Sequence, residues 1–137
     1  MFTNKQGNNL LRTSHFRALK ALFNDFRSDY NNLLIKANEK SIHHFYLSKL
    51  AIEVFMSLTD QRPPILKDIY EYKSLYVNLR QGKLLKVSKT KNTNAWFYRN
   101  DLLWNHLPKH VHECTSKTEF EKTIQNLTFY CNCKICV

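Results

Sequence analysis

Residues 41–58, SIHHFYLSKLAIEVFMSL, place apolar side chains at Ile42, Tyr46, Leu50, Val54 and Leu58, one every four positions, with Phe45, Leu47, Ala51 and Phe55 widening the stripe. A repeat so close to the helical period gathers these groups on one side of an α-helix, and Ser41 supplies the hydroxyl that caps its first free N–H groups. A helix this apolar has to be covered by other elements. The DQRPP run then ends it, because Pro63 disfavours helical geometry at Arg62, while Pro64 is suited to open a further short helix over PILKDIYEY.

The remaining segments supply helical partners. In LLRTSHFRALKALFNDF, residues 10–26, Leu11, Phe16, Leu19, Leu22, Phe23 and Phe26 fall near helical spacing with Arg12, Arg17, Lys20 and Arg27 among or beside them, which predicts a basic amphipathic helix. DYNNLLIKAN from Asp29 predicts a short helix carrying Leu33 and Leu34 inward, and DLLWNHLPKHV another, ended near Leu107 by Pro108. Ser116 with Glu119 has the spacing of a capping box, opening a helix over 116–128 that buries Phe120, Ile124 and Leu127. Only Gly7 and Gly82 are glycines, which argues against a glycine-hinged β-sandwich. Between 76 and 98 the helical period is lost, and one or two short extended segments are expected. The expectation is a mainly α fold: a disordered lead-in over 1–9, one small irregular helical domain over 10–128 and a cysteine-rich tail over 129–137. At 137 residues and 43% hydrophobic content the chain has enough apolar material for one core.

Charge sets the first functional constraint. The 21 Lys and Arg outnumber the 11 Asp and Glu, giving a formal net charge of +10 that favours a polyanionic partner, nucleic acid before others. From 72 to 100 there is no acidic residue, while Lys73, Arg80, Lys83, Lys86, Lys89, Lys91 and Arg99 are all positive and Tyr72, Tyr76, Trp96, Phe97 and Tyr98 lie among or beside them. Cations neutralise phosphates and aromatic faces stack on unpaired bases, so RNA or single-stranded DNA is the expected partner. Tyr98 beside Arg99 is the aromatic assigned to a base, with Trp96 and Trp104 read as core anchors. The competing reading is a solvated basic loop. No stretch reaches the roughly 18 apolar residues of a membrane helix, and the N-terminus lacks the apolar run of a secretory signal. No membrane partner and an intracellular site, cytoplasmic or nuclear, are expected; the pattern leaves the oligomeric state open.

Three of the four cysteines, Cys131, Cys133 and Cys136, crowd the C-terminus. In a reducing compartment they are free thiols or ligands for zinc, which needs a fourth donor in a closed site; Cys114, His112 and His110 are the candidates. The favoured reading is a reduced thiol tail with no cofactor, and zinc is the alternative. His43 and His44 point about 100° apart on a helix and do not readily chelate one ion. Cys114 with His112 is a conceivable nucleophile pair, without any third group in the sequence to orient it.

Several of these landmarks, taken in order, resemble the C-terminal part of the reverse transcriptases of non-long-terminal-repeat retrotransposons. RALKALFND at 17–25 resembles that family's arginine-alanine-leucine-arginine helix. The segment 41–70, with Leu50, Ala51 and Glu53 in a leucine-alanine-x-glutamate core, is similar to its histidine-containing helix and proline-ended loop. YVNLR at 76–80, LWNHLP at 103–108, SKTEFEKTI at 116–124 and CNCKIC at 131–136 resemble later elements of the same region. Asn100-Asp101 stands where the family often has glycine-proline, and Asn132 where it often has proline.

What the resemblance implies is a post-palm, thumb-and-tail region with general nucleic-acid affinity. The chain's aspartates, Asp25, Asp29, Asp60, Asp68 and Asp101, include no adjacent pair of the kind that holds two catalytic metals. The expectation is therefore a truncated or relic reading frame: a non-catalytic remnant, not an enzyme, that binds nucleic acid through Lys73, Arg80, Lys83, Lys86, Lys89, Lys91, Tyr98 and Arg99. The alternatives are a protein-interaction module, or a relic, with no nucleic-acid role. An enzyme with an unrecognised site is the third reading.

Overall fold

The computed structural model describes residues 5–73, 83–87 and 96–127. Its helices are α1 (Lys5–Phe23), α2 (Tyr30–Ala37), α3 (Ile42–Leu58), α4 (Pro64–Lys67), α5 (Trp96–His106), α6 (Lys109–His112) and α7 (Lys117–Asn126). The fold is mainly α, and among the described residues the only β pairing is an isolated antiparallel bridge between Tyr72 and Leu85. Of the stretch expected to be extended between 76 and 98, residues 83–87 are described and supply Leu85 to that bridge, whereas Trp96 already begins α5 and so corrects the expected end; the rest, like the tail over 129–137, lies outside the described residues. Where one domain was expected over 10–128, two compact units divide the described chain: one carries α1, α2 and the start of α3 as far as Tyr46, the other runs from Leu47 to Leu127.

The first unit is a helical hairpin. Leu19 of α1 and Tyr30, Leu33 and Leu34 of α2 form its buried centre, with Phe16, Phe23 and Ala37 packed against them. α1 is displaced from the expected 10–26. It starts at Lys5, inside the supposed lead-in, because once the apolar turns have nucleated a helix each added residue gains one backbone hydrogen bond. It stops at Phe23 because Asn24 turns left-handed, at φ 49°, and Asp25 diverts the backbone. The Asp25 carboxylate accepts from Ser28 Oγ at 2.8 Å, from Ser28 N at 3.1 Å and from Arg27 N at 3.3 Å, and Lys36 Nζ reaches it at 3.3 Å. Leu22 and Phe26, assigned by spacing to the buried stripe, are 74% and 66% exposed, since the chain leaves helical geometry beside them. Asp29 caps α2 by accepting from Asn32 N at 2.9 Å. The Tyr30 hydroxyl lies 2.8 Å from His15 Nδ1 and accepts from Ile42 N at 3.4 Å, joining three helices of this unit at one oxygen.

Ser41 caps α3 as expected, its hydroxyl accepting from His44 N at 3.2 Å. Burial along this helix is uneven. Ile42 and Tyr46 are half-buried and Phe45 is 61% exposed, whereas Leu50, Ala51, Val54, Phe55, Met56 and Leu58 are buried within the second unit. Glu53 holds the following loop: its two carboxylate oxygens accept from Arg62 at 2.7 and 2.9 Å. Asp60, left-handed at φ 59°, receives Lys67 Nζ at 2.7 and 2.8 Å.

The centre of the second unit is a column of nearly parallel rings. Phe55 stacks on Phe120 (centroids 4.3 Å apart), Phe120 on Trp104 (6.0 Å) and Trp104 on His112 (4.9 Å), with interplanar angles of 18°, 13° and 15°. This column ties α3, α5, α6 and α7 together. Ser116 caps α7 through Glu119 N at 3.2 Å, and the Glu119 carboxylate returns to Thr115 N at 3.0 Å, one residue before the expected box position. Phe120 and Ile124 are buried as expected, and Leu127 is half-buried.

Candidate nucleic-acid interface

The basic segment is fixed where it approaches α5. Lys73 N donates to Leu84 O at 2.9 Å and Lys86 N to Glu71 O at 2.6 Å, flanking the bridge between Tyr72 and Leu85. In that arrangement the Leu85 N–H and C=O point away from Tyr72 and need other partners. Asn105 supplies both: its Oδ1 accepts from Leu85 N at 2.7 Å and its Nδ2 donates to Leu85 O at 2.8 Å. The indole of Trp104 donates to Lys83 O at 2.8 Å. Two consecutive residues of α5 thus hold Lys83 and Leu85, and Leu84 and Leu85 are buried.

Of the expected contact residues, Lys83 and Lys86 are exposed on this segment, Lys86 within 2.9 Å of a Glu71 carboxylate oxygen. Lys73 is half-buried beside Tyr72. Tyr98 and Arg99 are half-buried in the first turns of α5. Arg80, Lys89 and Lys91 lie outside the described residues. Trp104 is a core anchor, at 3% exposure, and the Trp96 side chain is not among those described.

Tyr98 is the aromatic the sequence assigns to a base, yet among the described residues of this segment and α5 the more open aromatic is Tyr72, 42% exposed. Spacing alone does not rank them, because exposure depends on tertiary packing that no local period reports. Asn105 was also missed as a positioning residue. Its one sequence signal is its place after Trp104 in LWNHLP.

Cys131, Cys133 and Cys136 lie outside the described residues. Among the described residues no group of three His, Cys, Asp or Glu side chains is placed to hold a metal. Cys114 is half-buried, its thiol directed to His110 O at 3.7 Å and Thr123 Oγ1 at 3.8 Å. His112 does not suit the fourth zinc position, nor a nucleophile pair with Cys114. Its ring is buried on Trp104 and its Nε2 is 2.9 Å from Trp104 O, so Nε2 carries the proton and Nδ1 faces the interior with no hydrogen-bond partner. Burial, the largest influence on this imidazole, lowers its pKa and keeps it neutral, only partly opposed by the bond to Trp104.

A second buried polar group lies nearby in sequence. Asn100, fully buried, donates to the Tyr70 hydroxyl at 2.9 Å, and Asp101 beside it is 2% exposed. Burial raises the pKa of Tyr70, which stays a neutral phenol. Among the described residues no helix is long and apolar enough to cross a membrane. Comparison with protein-family models, with curated proteins and with solved structures found no match for this chain.

Proposed function

We propose that this chain binds single-stranded nucleic acid without marked sequence preference, through the basic segment that α5 holds in place, and that it does so without catalysis. The observation that carries the reading is the double clamp of Trp104 on Lys83 and Asn105 on Leu85, which holds exposed Lys83 on a fixed backbone, with exposed Lys86 fixed next to it by its bond to Glu71. A preorganised cation meets a phosphate with less ordering cost than a mobile one. The net charge of +10 supplies the long-range attraction. The resemblance to the C-terminal region of retrotransposon reverse transcriptases is consistent with an RNA or DNA strand as partner.

The test is a fluorescence-anisotropy titration of the purified chain with labelled single-stranded RNA and DNA at several salt concentrations. Affinity should fall steeply as salt rises, with a slope of about −0.7 in log K against log salt for each phosphate neutralised. Affinity that is absent, or flat with salt, rejects the reading and favours a protein-interaction role.

A further inference from the structure

Tyr72 is an exposed aromatic whose backbone is unusually well fixed for its position beyond a short helix. The bridge to Leu85 is flanked by the Lys73 N to Leu84 O and Lys86 N to Glu71 O bonds, and Leu85 is itself locked to Asn105. Its bridge partner Leu85 and the neighbouring Leu84 are buried, so the bridge is anchored in the core of this unit.

Its surroundings are cationic along the chain and across the bridge. Lys73 is adjacent, Lys86 is next to its bridge partner, Lys83 is exposed on the same clamped segment, and Lys67 is close enough to act on the Tyr72 phenol electrostatically. Glu71, next to Tyr72 in the chain, is engaged by Lys86, and Asp60 by Lys67, on which Asp68 also acts. The α5 rings cannot serve in place of Tyr72 where described: Trp104 is buried in the ring column and Tyr98 is half-buried.

Resting on the nucleic-acid reading above, we infer that Tyr72 is a stacking platform for one unpaired base, with Lys83, two residues before its bridge partner, taking a phosphate of the same strand. A fixed aromatic face accepts any base, because every base has a π-face, and loses little conformational freedom in doing so. The ligand class is a single strand with bases splayed from its backbone. A duplex keeps its bases paired and offers Tyr72 no face.

The experiment compares wild type, Tyr72→Ala and Tyr72→Phe against three labelled probes: an oligothymidylate of about 12 nucleotides, within the usual site size, an abasic strand of the same length, and a duplex of the same length. Tyr72→Ala should weaken oligothymidylate binding by about fivefold to a hundredfold while Tyr72→Phe retains it. Binding of the abasic strand and the duplex should be the same for all three proteins. Equal affinity of wild type and Tyr72→Ala for the oligothymidylate overturns the stacking role and leaves the nucleic-acid reading intact. Equal loss on all three probes overturns it too, because that pattern reports damage to the fold. Failure of the wild type to bind any probe overturns both.

Discussion

The side-chain amide of Asn105 brackets Leu85, accepting from its N–H at 2.7 Å and donating to its C=O at 2.8 Å, so that a helical side chain completes the pairing a neighbouring strand would otherwise supply. Leu85 is fully buried, and truncating Asn105 leaves a buried donor and a buried acceptor unpaired. Asn105→Ala is expected to cost about 1 to 3 kcal/mol in urea unfolding. Amide hydrogen exchange at Leu85 should accelerate in the same variant. Unchanged stability together with unchanged exchange would show that the bracket contributes nothing.

The ring column makes a second, larger demand. Phe120 is fully buried between Phe55 and Trp104, and Phe120→Ala removes contacts on both of its faces. The expected loss is about 3 to 5 kcal/mol. Leu50→Ala, at the buried edge of α3, should cost about 2 to 5 kcal/mol, depending on how far its surroundings collapse. Thermal melts that leave both variants at the wild-type midpoint would refute this core.

His112 gives the unit an acid limit. Its folded-state pKa lies below the ordinary value of 6.5, so the unfolded chain takes up the proton first. Its contribution to stability is therefore complete above that ordinary value and is lost as pH falls below it. Glu113 acts on the ring to raise its pKa and Lys83 to lower it, both less than burial does. Between about pH 7 and 5, where an ordinary imidazole changes charge, Tm should fall more steeply in wild type than in His112→Gln. Parallel pH profiles would contradict the buried neutral tautomer.

Asp25 acts at lower pH and in the other unit. Its hydrogen bonds, chiefly from Ser28, lower its pKa from 3.8 to about 2. The stabilisation is present above the unfolded value and disappears as pH drops from about 4 toward 2. Asp25→Asn should flatten the acid limb of the α1–α2 melting profile in that range. A wild-type limb that is flat there would reject the arrangement of this turn.

Local chemistry was legible in the sequence, and distant pairing was not. Ser41, Asp29 and Ser116 announce their helices because a cap is a contact between a side chain and an N–H three residues on. Pro63 and Pro64 announce the break after α3 for an equally local reason. The burial of Trp104, Phe120 and Ile124 follows from residue type and period. By contrast Leu22 and Phe45 are apolar and well spaced yet exposed, because period identifies a face without saying how deeply it is covered. The Asn105 bracket joins residues 20 apart through a polar side chain, and no periodicity reports it. Glu53 lies between: its position after Leu50 and Ala51 is plain in the sequence, but its grip on Arg62 emerges only when the loop turns back at Asp60. That pair is partly exposed, and Glu53→Gln should cost no more than about 1 kcal/mol, less at high salt.

The most direct measurement of the nucleic-acid reading is the salt slope of single-strand binding in wild type and in Lys83→Gln, which removes one exposed cation from the clamped segment and leaves its Trp104-bonded carbonyl in place. If Lys83 neutralises a phosphate, the slope of log K against log salt should become shallower by about 0.7, with the affinity ranking of different sequences unchanged. Identical slopes in the two proteins would contradict binding through this segment.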